Sequence, residues 1–314
     1  MNKYFLIPII TFFAIISILV FYLQNIYEDW KYDVIGTKTE KIIPENCDDE
    51  DDIKIIKHLS DNLMNRSFKD QKDILSNSKL HAIYLLPCDQ KDRKFDINKN
   101  IHHSLEKINN WLLDKTKNQI IRYDRKNNNI IDTTFIRVNK TMKWFTEYSS
   151  NQNKEKDTGS KIEKIILSNS LLFNNFNEKK FIVFFEGWEK SNSFFIEICG
   201  RSRFEGKVAI FYTNSKNKKS ESCTINNFYD LSDKKFNQSE ETILHEILHT
   251  FGMPPRCAKN LDPQSLFHVN DNEQDVLNKV SGSLYLDYNN DDYYRHNIKN
   301  CNDLSNSNYL ITIP

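Results

Sequence analysis

The residues best suited to chemistry stand together in ETILHEILHTFGMPPRCAKN, Glu241 to Asn260. His245 and His249 are four positions apart, and Glu246 follows the first of them. Residues at that spacing share one face of a helix about one turn apart, so both imidazoles can occupy corners of one zinc tetrahedron. Glu246 then lies beside the open coordination position, where a carboxylate can take a proton from water. The chemistry written in this spacing is metal-assisted hydrolysis with Glu246 as general base. Two surface histidines on an ordinary helix are the plain alternative, because so short a pattern also occurs by chance.

A catalytic zinc takes three side chains and keeps one position open. The longer form of the motif would place its third ligand at 255, but Pro255 has no side-chain donor. The ligand must return from farther along the chain. His268, in FHVND, is the first strong nitrogen donor past the turn, and Asp271 is the expected hydrogen-bond partner of its ring. Asp262, Asp271, Glu273 and His296 are the competing ligands, and each also reads as an ordinary loop residue.

The helix that must carry the histidines is legible from its ends. Asn237 can cap it, with Glu240 at the third position, and Ile243, Leu244, Ile247, Leu248 and Phe251 form an apolar face. Gly252 suits the left-handed residue past its end, and Pro254 and Pro255 prevent continuation. Upstream, HAIYLLP (81–87), DTTFIRV (132–138), FIVFFEG (181–187) and VAIFYT (208–213) read as strands. IHHSLEKINNWLLDK (101–115) and KIEKIILSNSLL (161–172) read as helices, as does IKIIKHLSDNLMN (53–65), a stalk-like element. This order predicts an α/β (α+β) domain with a mostly parallel twisted sheet, the histidine helix, and an irregular lower lobe from Gly252 onward. Substrate would bind in a cleft between the lobes.

The chain has 314 residues, with Lys+Arg and Asp+Glu equal at 43 each, so no basic excess draws it to nucleic acid. Residues 4–23 form an almost unbroken apolar run of about 20 residues behind Lys3, long enough to cross a bilayer. No small-x-small cleavage site follows, which favours an uncleaved signal anchor over a signal peptide. The expected organisation is a membrane anchor at 1–24, a linker at 25–79 containing the acidic run 48–52, and a catalytic domain at 80–314. That domain would lie outside the cytoplasm, periplasmic or at the cell surface, and would be secreted if the leader were cleaved. Six cysteines fit an oxidising compartment. The expected pairs are Cys199 with Cys223 and Cys257 with Cys301, leaving Cys47 with Cys88 by elimination.

Several stretches resemble secreted bacterial metzincin-like zinc metallopeptidases: IYLLPCDQKDRKFD, NWLLDKTKNQIIRYDR, CGRSRFEGKVAIFYTN, HEILHTFGMPPRCAKN, HVNDNEQDVL, LDYNNDDYYRHN and CNDLSNSNYL. Together they run from about residue 80 to the C-terminus. The resemblance implies one catalytic zinc, a metzincin-like fold and a peptide or protein substrate. Metzincins usually supply His or Asp where Pro255 stands, and the resembling proteins carry a downstream histidine in a context that His268 matches. A non-enzymatic surface protein that keeps a structural zinc in the same fold is the rival reading.

Weaker candidates remain. His102 and His103 are adjacent and point to different sides of their helix. The loops 89–100, with Asp89, Asp92 and Asp96, and 286–294 are candidate calcium loops, though neither has EF-hand spacing. Tyr293 and Tyr294 are placed either to hydrogen-bond a reaction intermediate or to pack in the core.

Overall fold

The computed structural model describes residues 47–49, 52–57, 66–73, 77–147, 157–190, 197–215, 232, 235–279 and 282–314. The apolar run 4–23 lies outside them. Among the described residues, no helix is long and apolar enough to cross a membrane.

Residues Glu45–Pro314 form one compact unit. Its strands in chain order are β1 (Ile55–Ile56), β2 (Lys79–Pro87), β3 (Gln119–Ile121), β4 (Thr133–Val138), β5 (Lys179–Phe185) and β6 (Glu189–Lys190). Then come β7 (Glu197–Ile198), β8 (Gly200–Ser202), β9 (Val208–Tyr212), β10 (Leu261–Asp262), β11 (Ser265–Val269) and β12 (Leu310–Thr312). The helices are α1 (Asn100–Thr116), α2 (Met142–Thr146), α3 (Thr158–Ser168) and α4 (Gln238–Thr250). A six-stranded sheet has the order β1-β4-β2-β5-β9-β8. Its four inner strands are parallel, and antiparallel β1 and β8 form the edges.

The inner strands are apolar almost throughout because helices cover both faces of the sheet. Alternation decides which face each residue serves. Leu80, Ala82, Tyr84, Ile182, Phe184, Ala209 and Phe211 pack with Ile101, Leu105, Ile108 and Leu112 of α1 and with Ile243, Leu244, Ile247 and Leu248 of α4. Ile83, Leu85, Val183, Phe185, Ile210 and Tyr212 pack on the other face with Met142 and Phe145 of α2 and Ile162, Ile165 and Ile166 of α3. The mixed α/β architecture with a mostly parallel sheet is therefore present.

Three expectations need correction. Ile55 and Ile56 are not in a helix. They pair with Val138 and Arg137 as an edge strand, where their β-branched side chains suit a pleated surface, and 58–65 lie outside the described residues. The segment read as a linker is in part built into the domain: Cys47 is disulfide-bonded to Cys88, and buried Arg66 and Asp70 meet partners far along the chain. The region after Gly252 is irregular, yet among the described residues it has no core of its own. Met253, Val269, Val276, Leu277, Leu286 and Tyr293 join the cluster beneath α1 and α4.

Cys257 and Cys301 are disulfide-bonded, closing a loop of 44 residues, which in chain-entropy terms is worth about 4 kcal/mol. Cys199 is also disulfide-bonded, while its expected partner Cys223 lies outside the described residues. Disulfides persist in oxidising compartments, which fits a location outside the cytoplasm.

Candidate metal centre

Helix α4 begins at a capping box: the Asn237 side chain accepts from the first-turn backbone and the Glu240 carboxylate returns to the Asn237 N–H. The apolar face of α4 is fixed against β9 and α1, so the side carrying His245 and His249 has a defined direction. After Gly252, at φ +81°, the chain leaves the helix axis. It returns through the β10–β11 hairpin, whose strand β11 carries His268.

The hairpin brings His268 to the helix. His249 Nε2 lies 3.0 Å from His245 Nε2, and His245 Nε2 lies 3.2 Å from His268 Nε2. The opposite ring nitrogens are all engaged. His245 Nδ1 donates to the Val276 carbonyl at 2.7 Å and His249 Nδ1 to the Met253 carbonyl at 2.8 Å. His268 Nδ1 meets Ser265 Oγ at 2.7 Å. A carbonyl can only accept, so Nδ1 of His245 and of His249 carries the hydrogen and each Nε2 presents a lone pair. Two lone pairs 3.0 Å apart repel unless a cation lies between them.

Protonation does not supply that cation at neutral pH. Burial pushes the His268 imidazole down to about 4, helped by the neighbouring His245. Burial also lowers His245, and burial with the His245 charge takes His249 well below its ordinary value. The three nitrogens fit zinc: with bonds of ~2.0–2.1 Å, the edges of a tetrahedron are about 3.3 Å, close to the spacings found.

Glu246 is buried beside them, and Ser202 Oγ donates to its Oε2 at 2.7 Å. Burial pushes this carboxyl up to about 7 in the metal-free chain, while Ser202 and Arg201 pull against that rise. A nearby dication would act in the same direction as Arg201. Strand β8 can lie this close because Gly200 has no side chain. A Cβ there would fall 2.6 Å from Glu246 Cγ and 2.8 Å from Thr242 Cγ2. Arg201, between them, pairs with Asp157 and Glu189.

The structure thus brings together His245, Glu246, His249 and His268. The competitors are engaged elsewhere or stand in solvent. His296 uses both ring nitrogens locally, toward Asn302 O and Ile298 N, Asp262 pairs with Lys279, and Glu273 is exposed. Asp271 does not orient His268, whose Nδ1 is taken by Ser265 Oγ at 2.7 Å. It joins Asp291 and Asp292 instead. Tyr293 donates to Asp275 and Tyr294 to Gln119, so both serve packing. His102 lies beside Glu106, and neither His102 nor His103 belongs to a metal-capable group among the described residues. In the loop 89–100, Asp92 and Asp96 are taken by Arg66 and Asp89 accepts from Met142 N, so arginine stands where calcium was considered.

Sequence reasoning missed Ser202, Gly200 and Ser265. A glycine next to a short polar strand was the only signal for the first two, and three-residue spacing to His268 the only one for the third.

A further buried cluster has metal-like composition. Asp70, Asp73, Asp124, His81 and Asp132 gather below the start of β5. Lys179 already fills it: its Nζ lies 2.5 Å from Asp70 Oδ2, 2.5 Å from Asp124 Oδ2 and 3.1 Å from Asp73 Oδ2. Burial holds the Asp70 carboxyl up at about 6 despite His81 and Lys179, whereas their hydrogen bonds overcome burial at Asp124 and hold it well below its ordinary range.

No family model, curated protein or solved structure matches the chain.

Proposed function

We propose that this chain is an exported zinc metallopeptidase that hydrolyses peptide bonds, with Glu246 as general base. The observation that carries the reading is the pair of opposed Nε2 lone pairs on His245 and His249, each fixed by a backbone carbonyl, with His268 closing the set. Three imidazoles are the ligand count of a site with one open position, and this favours an enzyme over a closed structural site.

His245, His249 and His268 would hold the ion, and the Val276 and Met253 carbonyls with Ser265 would keep their rings in place. Bound zinc supplies Lewis acidity toward water and toward the scissile carbonyl oxygen. Ser202 fixes Glu246 Oε2 and leaves Oε1 available. Glu246 takes a proton from the attacking water and passes it to the leaving amine as the C–N bond breaks. Strand β8, an edge among the described strands and adjacent to Glu246, offers unpaired backbone groups to an extended peptide, which favours peptide or protein substrates. The apolar run 4–23 would anchor the chain with this domain outside the cytoplasm. Recovery in the soluble fraction after alkaline washing, or a mature terminus beyond residue 23, would remove the anchor.

The deciding experiment uses the full 314-residue chain. Wild type should carry about one zinc per chain and cleave members of an unbiased peptide library. Glu246→Gln should keep the zinc while cleavage falls by at least about 100-fold. A wild-type chain without zinc would overturn the metal, and a fully active Glu246→Gln would overturn the base.

A further inference from the structure

We propose, resting on the peptidase reading, that Arg201 is a positioning residue: it clamps the edge strand β8 from the face opposite Glu246 and so holds Ser202 Oγ on that carboxylate. Strand β8 has three residues and pairs with β9, Gly200 opposite Phe211, Arg201 opposite Ile210 and Ser202 opposite Ala209. Alternation divides them between the two faces of the sheet. Phe211 and Ala209 pack in the cluster that contains α4, and Gly200 and Ser202 accordingly meet Glu246. Ile210 packs in the cluster that contains α3, and Arg201 accordingly meets the start of α3. The same short strand touches the general base on one side and an ion network on the other.

That network holds the guanidinium at two points. Arg201 Nη2 donates to Asp157 Oδ2 at 3.0 Å, and Nη1 donates to Glu189 Oε1. Neither carboxylate is free to follow a moving strand. Asp157 caps α3, its Oδ1 accepting from Ser160 N at 2.8 Å. Glu189, 3 % exposed, also accepts from the hydroxyl of buried Tyr212. Close approach is built in, because a Cβ at Gly159 would fall 2.6 Å from Arg201 Cδ and 3.0 Å from its Nε. Gly200 permits the corresponding closeness to Glu246 on the other face, so two glycines let β8 sit tightly between α3 and α4.

A three-residue edge strand needs such a hold. Segments with few partners open locally at small cost, and the ladder to β9 sets the register of β8 but not its tilt toward α4. Downstream, Glu205 N donates to His249 O at 2.9 Å. The chain is therefore pinned at 201 and at 205, on either side of Ser202. Ser202 Oγ donates to Glu246 Oε2 at 2.7 Å, and a displacement of about 1 Å would break that bond and let the carboxylate rotate away from the water it must deprotonate. Arg201 acts through Ser202.

The test uses the full-length chain with three changes: Arg201→Met, Arg201→Met/Glu189→Gln, which leaves no buried carboxylate without its cation, and Asp157→Asn, which keeps the helix cap. Zinc content and KM should stay at wild-type values while kcat falls about tenfold in the two Arg201 variants and less in Asp157→Asn. Amide exchange across residues 200–204 should quicken in all three. In a Ser202→Ala background Arg201→Met should lower kcat little further, because the two changes remove one effect. The proposal is overturned if exchange across 200–204 matches wild type, if kcat is unchanged, or if the loss adds in full to that of Ser202→Ala. If wild type itself cleaves nothing, the peptidase reading falls, and the exchange measurement alone then decides whether Arg201 holds β8.

Discussion

The Lys179 cluster and the histidine cluster are built from similar material and come out chemically opposite. Both gather ionisable side chains from distant segments into the interior beside the sheet. Around Lys179 the acceptors of Asp70, Asp73 and Asp124 converge on an ammonium that the chain itself provides. Around His245 they converge on one another, because the Nδ1 hydrogens are committed to carbonyls on the far side of two of the rings. A list of residue types would call both metal sites. The difference lies in whether a donor already occupies the centre, and only the second cluster leaves its centre to the proposed external cation.

The comparison is most severely tested at Lys179. Lys179→Met removes the ammonium shared by Asp70, Asp73 and Asp124, leaving Lys79 on Asp73 and His81 on Asp124, and should cost about 3–5 kcal/mol, read as a shift in the denaturant midpoint. Adding Asp70→Asn should recover part of that loss. A cost under about 1 kcal/mol would mean that the ammonium is not what holds the cluster.

Next in size is His268→Ala, expected to lower zinc affinity by more than about 100-fold with little change in fold, whereas Ser265→Ala should cost about 10-fold. His296→Ala should leave zinc affinity unchanged. Metal titration of the three variants distinguishes them, and full zinc affinity in His268→Ala would send the third ligand elsewhere.

Acid should separate the two clusters. The His268 imidazole, held near 4, stays neutral until the pH approaches that value, so the proposed zinc should be released only there. Because its folded pKa lies below the unfolded ~6.5, its contribution to stability is present above 6.5 and declines as pH falls through the folded value. Asp124, held below its ordinary 3.8, contributes above 3.8 and is lost only at still lower pH. Asp70, raised to about 6, works in the opposite sense, its contribution being present below 3.8 and lost as pH rises through 6. Zinc release should therefore be complete while circular dichroism still reports a folded chain, and coincident transitions would refute the separation.

The smallest effect is expected at the contact between β8 and α4. Gly200→Ala would press on Glu246 Cγ and should lower turnover about tenfold, while zinc content stays at the wild-type value. Unchanged turnover would show that the carboxylate has room to shift.

Much of this was legible locally. The capping box at Asn237 and Glu240, the four-residue spacing of the histidines, and the stop at Gly252 all depend on neighbours within a turn or two, and α4 spans Gln238–Thr250 accordingly. Continuous apolar runs marked β2, β5 and β9, because strands covered on both faces need no polar alternation. The cysteine pairings Cys47–Cys88 and Cys257–Cys301 were also within reach of the sequence. Ile55 and Ile56 were misread because two isoleucines in a polar segment satisfy a helical face as readily as a sheet edge, and only β4 decided between them.

What the sequence by itself determined is the rigid helix that holds two imidazoles and one carboxylate in fixed relation, since helical geometry converts spacing directly into direction. The tertiary structure decided everything those groups face. It set His268 against His245 across 23 residues, placed Ser202 on Glu246 across 44, and brought Val276 to the His245 ring. It also seated Lys179 among aspartates 55 and 109 residues away. Those contacts arise from folding a hairpin and a sheet edge against α4, and no periodicity in the chain encodes where two such surfaces will meet.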